Sequence, residues 1–470
     1  MVIGAVLGAL AGRSSSRVVE SPGSDLLLRM RLVSSVKQRV ATVLLARTTA
    51  GGVDLRKLRF LPDSITMPLQ RDGLDPLLQM ADVRENEPVK KLTELFGKGI
   101  WLISGYDEAR AALADQATYS NDMRGLVSMH GRGDSEQIGG LGMTDPPDHT
   151  TLRRYLTPEF TKHRLARLAP RIEAIVEERL DAMEAAGPEV DLVEQFAFPV
   201  PFEVICELLG LPVEDRKRFF ELGVARFDLT AGGAGVFGAA AHTREFLIDS
   251  VAAQRADPGD GLIGALLTEY GDDLDDLTLG GIADGVFLGG YETSASMLAL
   301  GSYLLSESPT AMEMLRTDPA SVDRVVEELL RHLSVVQLAF LRFAKRDVIF
   351  GDVTIKEGDA VGISLLGANR DERLTPGASE FDPTRQPTRH LAFGHGMHRC
   401  VGAELARMEL RIALRALASR FPDLTVTVDR SELGFRKLSA VYGVETLPVN
   451  LYGASKSVGA ARQPQDRPRS

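Results

Sequence analysis

Cysteine is nearly absent from this chain of 470 residues, which contains only Cys206 and Cys400. Two cysteines so far apart in the sequence cannot form the dense disulfide framework of a small secreted protein, so they indicate a reducing compartment, the cytoplasm. Cys206 lies in the apolar run FEVICELLGLP and is predicted to be a buried, inert core residue. Cys400 lies among glycines and histidines, and it needs a separate explanation.

Long apolar runs and an excess of positive charge are lacking as well. The apolar N-terminal run MVIGAVLGALAG is well short of the roughly 20 residues that span a bilayer, and no basic residue precedes it. We therefore predict neither a membrane span nor a signal peptide. The formal net charge of -11 argues against a nucleic-acid-binding surface spread over the whole molecule, so no nucleic-acid partner is predicted. What the chain does contain is 44% hydrophobic residues, which is enough for a large core.

Three regions are predicted along the chain. Residues 67–452 are predicted to form one α-rich domain with small β-sheets, because no repeat, linker or low-complexity block interrupts them. Residues 1–66 form an N-terminal extension, partly helical or disordered, in which residues 29–47 place apolar side chains on one helical face. That helix either packs on its own domain or makes a peripheral contact with a membrane surface. Residues 453–470 lack any apolar period and are predicted to be disordered.

Local patterns place several elements within the domain. Short strands are predicted at 99–104, 347–355 and 423–428, and the second of these folds back on itself as a hairpin. One helix is predicted to end at Gly187 and another to cover residues 322–333. The strands are thus expected near the two ends of the domain.

The helix predicted over residues 277–305 is apolar on most sides and should cross the core, yet it is rich in glycine. Each interior glycine costs roughly 1 kcal/mol relative to alanine. Gly289 and Gly290 stand beside the polar residues Glu292 and Thr293. This pattern indicates either a helix crossing that needs small residues, or a flat neighbour together with a local break in the helix.

Cys400 lies in the stretch HLAFGHGMHRCVG, at the junction between a loop and the amphipathic helix AELARMELRIALRALASR. A helix N-terminus favours a thiolate. An inert cysteine does not explain the glycines, a zinc site formed with His395 and His398 has crowded spacing, and a catalytic thiol lacks an assignable base. An axial thiolate to haem iron fits best, because it needs one cysteine, small residues and nearby cations.

With these motifs in this order, residues 67–451 resemble the soluble bacterial members of the cytochrome P450 family. The resemblance implies a single, mainly α P450-type domain that holds haem b between the long oxygen-activation helix and the Cys-loop helix. It implies that Cys400 is the proximal ligand of the haem iron, with Phe393 against the sulfur. The other residues that it assigns to cofactor binding are Gly396, His398, Gly402, His149, Arg153, Arg342 and His390.

The same resemblance implies roles in catalysis and in fold stability. Glu292 and Thr293 correspond to the family's acid–alcohol pair, in which the alcohol holds bound oxygen and the acid relays protons. Gly289 and Gly290 would give haem and dioxygen room, and the helix is expected to open at this point. Three residues outside this helix are expected to lock the segment before the Cys loop: Glu328, Arg331 and Arg385.

The resemblance further implies a monooxygenase that acts on a hydrophobic small molecule of terpenoid, steroid, fatty acyl or polyketide type. Electrons are expected from an external ferredoxin and ferredoxin reductase, with docking near Arg399 and Arg407. Residues 230–242 are expected to form a mobile lid or a plain flexible loop. A haem-thiolate protein that binds a ligand or senses gas without turnover is the alternative, although it would not need Glu292 and Thr293. The residues assigned to the substrate pocket are Leu288, Val336, Phe340 and Val441.

Overall fold

The computed structural model describes most of the predicted domain. The N-terminal residues that include the predicted 29–47 helix lie outside the described residues, as does nearly all of the predicted C-terminal tail. Ser64 already donates a hydrogen bond from Oγ to the carbonyl oxygen of Leu92, 2.9 Å away, so the folded part begins before the predicted boundary at 67. The described residues are 62–95, 97–122, 141–227 and 232–453.

Helices dominate the described residues, as predicted. The helix predicted over 322–333 has these bounds in the structure. The helix predicted to end at Gly187 covers Ala169–Ala186, and Gly187 follows it with φ 116°. In chain order the α-helices are α1 (Asp63–Thr66), α2 (Leu78–Asn86), α3 (Tyr106–Ala114), α4 (Asp148–Leu156), α5 (Lys162–Leu165), α6 (Ala169–Ala186), α7 (Pro199–Leu209), α8 (Val213–Phe227), α9 (Gly232–Gln254), α10 (Leu262–Tyr270), α11 (Asp276–Ser306), α12 (Pro309–Thr317), α13 (Val322–Leu333), α14 (Leu365–Asn369) and α15 (Ala403–Arg420).

The strands are short and form small sheets. The largest sheet has the strand order β3-β4-β10-β7-β5, in which only the β4–β10 pair is parallel, and a second sheet has the order β11-β12-β6. Two hairpins complete the set, β1–β2 and the predicted β8–β9. The strands are β1 (Arg71–Asp72), β2 (Asp75–Pro76), β3 (Val89–Leu95), β4 (Lys98–Ile103), β5 (Tyr119–Ser120), β6 (Glu189–Asp191), β7 (Arg342–Ala344), β8 (Val348–Phe350), β9 (Val353–Ile355), β10 (Ala360–Ile363), β11 (Thr425–Val426) and β12 (Pro448–Asn450).

The core is organised around α11, which contacts α7, α9 and α15. Its C-terminal half, from Ser294 onward, is buried on every side, because apolar side chains such as Leu298 and Leu300 pack against all neighbours. The Asp275 side chain caps the start of α11 by accepting a hydrogen bond from the Thr278 backbone N–H. A smaller apolar cluster packs against the five-stranded sheet. The fold is therefore one mainly α domain with small sheets, as predicted.

Three local predictions are wrong. The helix α11 runs without a break, so it does not open at Gly289 and Gly290. Residues from Gly232 onward are helical and belong to α9, so the alternative of a plain flexible loop over 230–242 is wrong for most of this segment, while the lid alternative stays a prediction. Strand β6 lies in the middle of the domain, where no strand was expected, because it is held by pairing with β12 rather than by its own short sequence.

Among the described residues, no helix combines the length and the apolar character needed to cross a membrane.

Candidate active site

The loop before α15 presents the Cys400 sulfur. The backbone N–H of Cys400 donates to the Phe393 carbonyl oxygen, 2.9 Å away, which closes the loop. Gly396 has φ 72°, and a Cβ added there would lie 2.5 Å from the carbonyl oxygen of Leu113 on α3. Glycine is therefore required at 396 so that the loop can pack against α3.

The two cysteines have opposite environments. Cys206 on α7 is fully buried, and burial raises the pKa of its thiol to about 12. Cys400 is exposed. Surrounding protein still desolvates Cys400 and raises the pKa of its thiol, while the Gly402 backbone N–H and the charge of Arg153 lower it. Cys400 is thus the accessible cysteine of the two, and its environment contains groups that stabilise a thiolate.

Behind the Cys loop lies an ion-pair cluster. The Arg407 guanidinium lies over the Phe393 ring, 4.6 Å from its centroid, and Arg407 Nε is 2.5 Å from Glu327 Oε1. His390 Nε2 is 3.0 Å from Glu327 Oε2. Burial would raise the pKa of Glu327, but hydrogen bonds from His390 and Arg407 outweigh it and lower that pKa to about 2. The cluster therefore positions Phe393 from behind.

This cluster changes two expectations. The second ring nitrogen of His390 accepts a hydrogen bond from the Ala392 N–H, 3.2 Å away, so both of its nitrogens are engaged and neither is left for a haem propionate. Arg407 is mostly buried and paired with Glu327 and Glu404, so it is not an exposed docking residue for a redox partner. Arg399 is exposed.

Two histidines predicted at the cofactor site do meet. The rings of His149 on α4 and His398 have centroids 4.3 Å apart. His149 is 2% exposed, yet neither of its ring nitrogens has a hydrogen-bond partner among the described residues. Burial lowers the pKa of both imidazoles, that of His398 to about 4. Unpartnered buried nitrogens of this kind indicate a missing polar ligand.

The two arginines predicted at the cofactor site are directed toward the same region. Arg153, one turn after His149, donates from Nη1 to the carbonyl oxygen of Arg399, 2.7 Å away. Arg342 on β7 is 2% exposed and donates to Ala112 O on α3 at 2.9 Å. Its Nε has no partner among the described residues. Arg153 therefore contacts the residue before Cys400, and Arg342 contacts α3, the helix against which the Cys400 loop packs.

The glycines of α11 separate into two kinds. A Cβ added to Gly290 would lie 2.6 Å from Ile205 Cδ1 on α7, so this glycine serves a helix crossing. A Cβ added to Gly289 or Gly285 would meet nothing within 4 Å, and both residues are exposed. Gly289 therefore has open space beside the helix, whereas the space beside Gly290 is occupied by packing.

The predicted acid–alcohol pair has defined partners. Thr293 donates from Oγ1 to the carbonyl oxygen of Gly289, 2.6 Å away, which leaves the hydroxyl lone pairs available to accept a hydrogen bond. Glu292 Oε1 is 2.8 Å from Arg436 Nη1. Burial raises the pKa of Glu292, and Arg436 opposes this. Arg436 was not predicted, because it is 144 residues from Glu292 in the sequence.

The predicted structural triad is assembled in the interior. Arg331 is fully buried and forms two 2.7 Å hydrogen bonds with the Glu328 carboxylate. Arg385 Nε is 3.2 Å from the same carboxylate. Arg331 also donates to the carbonyl oxygens of Ala378 and Glu380, so the triad attaches α13 to the segment that leads to the Cys loop.

The predicted pocket residues include the exposed apolar side chains expected of a binding surface. Leu288 is 38% exposed and Phe340 is 48% exposed, although both belong to segments that are otherwise packed. Val336 and Val441 face each other across an antiparallel bridge. The structure therefore brings the last two together and leaves the first two open.

One buried acid on α15 was missed. Glu409 is 2% exposed, it interacts with Ser294 next to the acid–alcohol pair, and its Oε1 has no partner among the described residues. Burial raises the pKa of Glu409 to about 8, so its carboxyl group is neutral at neutral pH. A glutamate on the inward face of the amphipathic helix was the available signal.

We expect Glu409→Gln to remove a pH dependence of stability. Folded Glu409 keeps its proton up to about pH 8, but unfolded Glu409 loses it near pH 4.5. The folded state thus binds more protons in that window, and the free energy of unfolding should fall by roughly 1.4 kcal/mol per pH unit as the pH rises through it. Denaturant midpoints measured across the window should diverge between wild type and variant, with the variant more stable at the alkaline end. An exposed control, Glu313→Gln, should follow the wild-type curve; parallel curves for Glu409→Gln would contradict the assignment.

The zinc alternative finds no support, because no cluster of three or more His, Cys, Asp or Glu side chains in the described part of the chain is arranged to hold a metal ion. What the structure does assemble is an exposed cysteine, unpartnered buried nitrogens and an open glycine face. These features suit a flat anionic ligand with a metal at its centre.

Known proteins similar to this chain are bacterial cytochromes P450. The family model described as Cytochrome P450 matches residues 250–431. Cytochrome P450 FAS1 of Rhodococcoides fascians is 39% identical over 82% of this chain and 98% of that protein. The 6-deoxyerythronolide B hydroxylase of Saccharopolyspora erythraea is 36% identical over 79% of this chain and 95% of that protein. The solved structure of OxyE, a cytochrome P450 involved in teicoplanin biosynthesis, matches with a TM-score of 0.75 and 36% identity, over 82% of this chain and 99% of that one.

Proposed function

The chain belongs to the cytochrome P450 family and is a haem-thiolate monooxygenase, and we propose that Cys400 is the residue whose thiolate binds the haem iron. The observation that carries this assignment is the exposed position of Cys400, near the start of α15 and close to the charge of Arg153. The other cysteine, Cys206, is fully buried in the core. When bound, haem supplies the reduction of dioxygen, with one oxygen atom transferred to substrate and the other leaving as water after two electrons and two protons are consumed.

The groups proposed to hold haem are polar and mostly buried. His149, His398, Arg153 and Arg342 would bind the haem carboxylates, because each side chain offers a donor and two of them have nitrogens without a partner among the described residues. Phe393 would pack beside the sulfur, held from behind by Arg407. The family implies haem iron, and we propose haem b in particular, because the chain lacks the C-x-x-C-H motif for covalent attachment.

Thr293 and Glu292 are proposed to transfer protons on the exposed face of α11. The Thr293 hydroxyl already donates to Gly289 O, so it can accept a hydrogen bond from a water molecule that would deliver a proton. Glu292 is close in sequence and would carry protons to it from solvent. Gly289 would leave room for the reacting oxygen, and Gly290 would fix the helix against Ile205.

We expect Thr293→Ala to divert reducing equivalents into hydrogen peroxide. Losing a proton-transfer group should lower the share of consumed dioxygen that ends in product by about tenfold or more. The measurement is peroxide formed per dioxygen consumed, with a ferredoxin, its reductase and a substrate found by its effect on the Soret band. Thr268→Ala is the matched control, because Thr268 makes the same back-bond to Gly264 O on another helix. Equal peroxide ratios for the two variants would remove Thr293 from the mechanism.

The substrate is proposed to be a bulky apolar molecule. Leu288 and Phe340 expose apolar surface, and the Val336–Val441 bridge adds two aliphatic side chains. Relatives named 6-deoxyerythronolide B hydroxylase and 20-oxo-5-O-mycaminosyltylactone 23-monooxygenase lead us to favour the polyketide type among the classes considered. The reaction would replace a C–H bond of this molecule by C–OH.

Electron supply is proposed to come from a ferredoxin and its reductase, acting in the cytoplasm. Residues 62–452 would form the catalytic domain, with the residues before them as an extension able to touch a membrane and residues 453–470 as a tail. Arg399, exposed and next to Cys400, is the docking residue that we retain for the acidic ferredoxin.

The test is the absorption spectrum of the dithionite-reduced protein under carbon monoxide. A Soret band strongly shifted to the red of that of His-ligated haem is expected. A colourless protein after haem supplementation, or a band of the His-ligated type, would overturn the assignment of Cys400.

A further inference from the structure

The partner of Glu292 comes from a hairpin near the C-terminus, formed by residues 435–444 around an isolated antiparallel bridge. Glu292 and Arg436 form a 2.8 Å ion pair, with side chains 18% and 20% exposed. Glu292 is thereby held as an acceptor by a group that is always charged and never releases a proton at physiological pH. Among the described residues, Arg436 is thus the ion-pair partner of Glu292, the residue proposed to relay protons.

The hairpin holds Arg436 in a fixed place. Its two limbs meet at the bridge between Phe435 and Val444, and the Arg436 backbone N–H donates to Gly443 O at 2.9 Å. The Phe435 ring stacks on the Tyr442 ring of the other limb, with centroids 5.9 Å apart. Arg436 therefore starts from an ordered backbone rather than from a flexible tail.

Close packing seats this hairpin on α11. A Cβ added to Gly443 would lie 2.8 Å from Ser296 Oγ, one turn after Glu292, so the backbone approaches the helix closely. The Arg436 guanidinium lies 5.2 Å from the centroid of the Phe198 ring, which supports it from a second direction. An arginine held by backbone pairing, an aromatic face and a carboxylate is preorganised.

We propose that Arg436 is a positioning residue that holds the Glu292 carboxyl group in place next to Thr293 and favours its anionic form. The inference rests on the proposed role of Glu292 in proton delivery. Its physical basis is that a buried carboxylate without its cation favours the protonated form. Arg436 thus sets the pH range in which Glu292 is charged.

The test follows the Glu292 carboxyl group directly, without turnover. Infrared absorption of protonated carboxyl groups is titrated with pH in the haem-loaded, full-length protein. The Glu292 band is identified by its loss in Glu292→Gln, and the band of buried Glu409 serves as an internal reference. In Arg436→Gln, the midpoint of the Glu292 titration should move to higher pH by about one unit or more, a tenfold change in proton concentration. In Arg436→Lys, which keeps the positive charge, the midpoint should lie close to that of the wild type.

Two controls separate this effect from a general disturbance. Arg430→Gln removes an exposed arginine just before the hairpin that pairs with Asp72 and Asp75 rather than with Glu292, and it should leave the midpoint unchanged. Arg436→Met keeps the packing over Phe198 and should shift the midpoint as Arg436→Gln does, which covers the case in which the latter variant does not fold. An unchanged midpoint in the folded Arg436 variants would overturn the proposal. Failure of the proposed function would instead be visible as a wild-type carbon monoxide spectrum without the thiolate band.

Discussion

Cys400→Ala is expected to abolish the red-shifted Soret band of the reduced, carbon monoxide-bound protein and with it all monooxygenase activity. Alanine removes the sulfur while leaving the loop, which is held by the Cys400 N–H bond to Phe393 O and by the contact of Gly396 with α3. Haem would then be retained only through its carboxylates and apolar faces, so haem affinity should fall by about tenfold or more. The measurement is haem content per chain together with the spectrum.

The chain supplies its own control for this experiment. Cys206→Ala removes the other thiol, which is fully buried and whose pKa burial raises to about 12, so it should leave the spectrum unchanged. Its effect should be a loss of stability of a few kcal/mol at most, from a small cavity between helices. If Cys400→Ala kept the thiolate band, Cys400 would not be the ligand.

Arg331→Leu is expected to lower the free energy of unfolding by about 3–5 kcal/mol, because it removes one partner of a buried ion pair. The Glu328 carboxylate would lose both 2.7 Å hydrogen bonds, and the carbonyl oxygens of Ala378 and Glu380 would lose their donor. Since those carbonyls belong to the segment before the Cys loop, haem content should fall together with stability. Denaturant midpoints followed by circular dichroism and by haem absorbance give the two readings.

An exposed pair of the same spacing is the matched control. Arg316 and Glu313 also lie three residues apart on a helix, at 2.7 Å, but both side chains are exposed, so Arg316→Gln should change stability by about 0.5 kcal/mol or less. Where Arg331→Leu yields no folded protein, Arg385→Gln removes the less buried arginine and should show a smaller loss in the same direction. Equal effects of the buried and exposed substitutions would show that burial of the triad is unimportant.

Much of the site is local in the sequence, and that part was predictable. The Cys400 loop and α15 are contiguous, and the helices at 322–333 and 403–420 follow from periodicity and from the residues at their ends, so their bounds were predicted within a residue. The acid–alcohol pair and the triad motif are likewise short patterns. The chemical class followed from one cysteine in a glycine-rich setting together with the resemblance that the motifs carry.

The partners of these residues depended on segments far apart in the chain. Arg436 reaches Glu292 across 144 residues, and Glu327 holds both His390 and Arg407 from a helix more than sixty residues earlier. The two glycines of α11 look alike in sequence, yet Ile205 of α7 occupies the space at Gly290 and nothing occupies it at Gly289. Strand β6 exists because β12 pairs with it.

The sequence by itself therefore determined which residues can perform the chemistry, because side-chain chemistry and helical period are local properties. Only the tertiary structure decided which of them are paired, buried or open. Burial and ion pairing depend on what packs against a residue, and at Glu292, His390 and Gly290 that neighbour comes from a distant part of the chain.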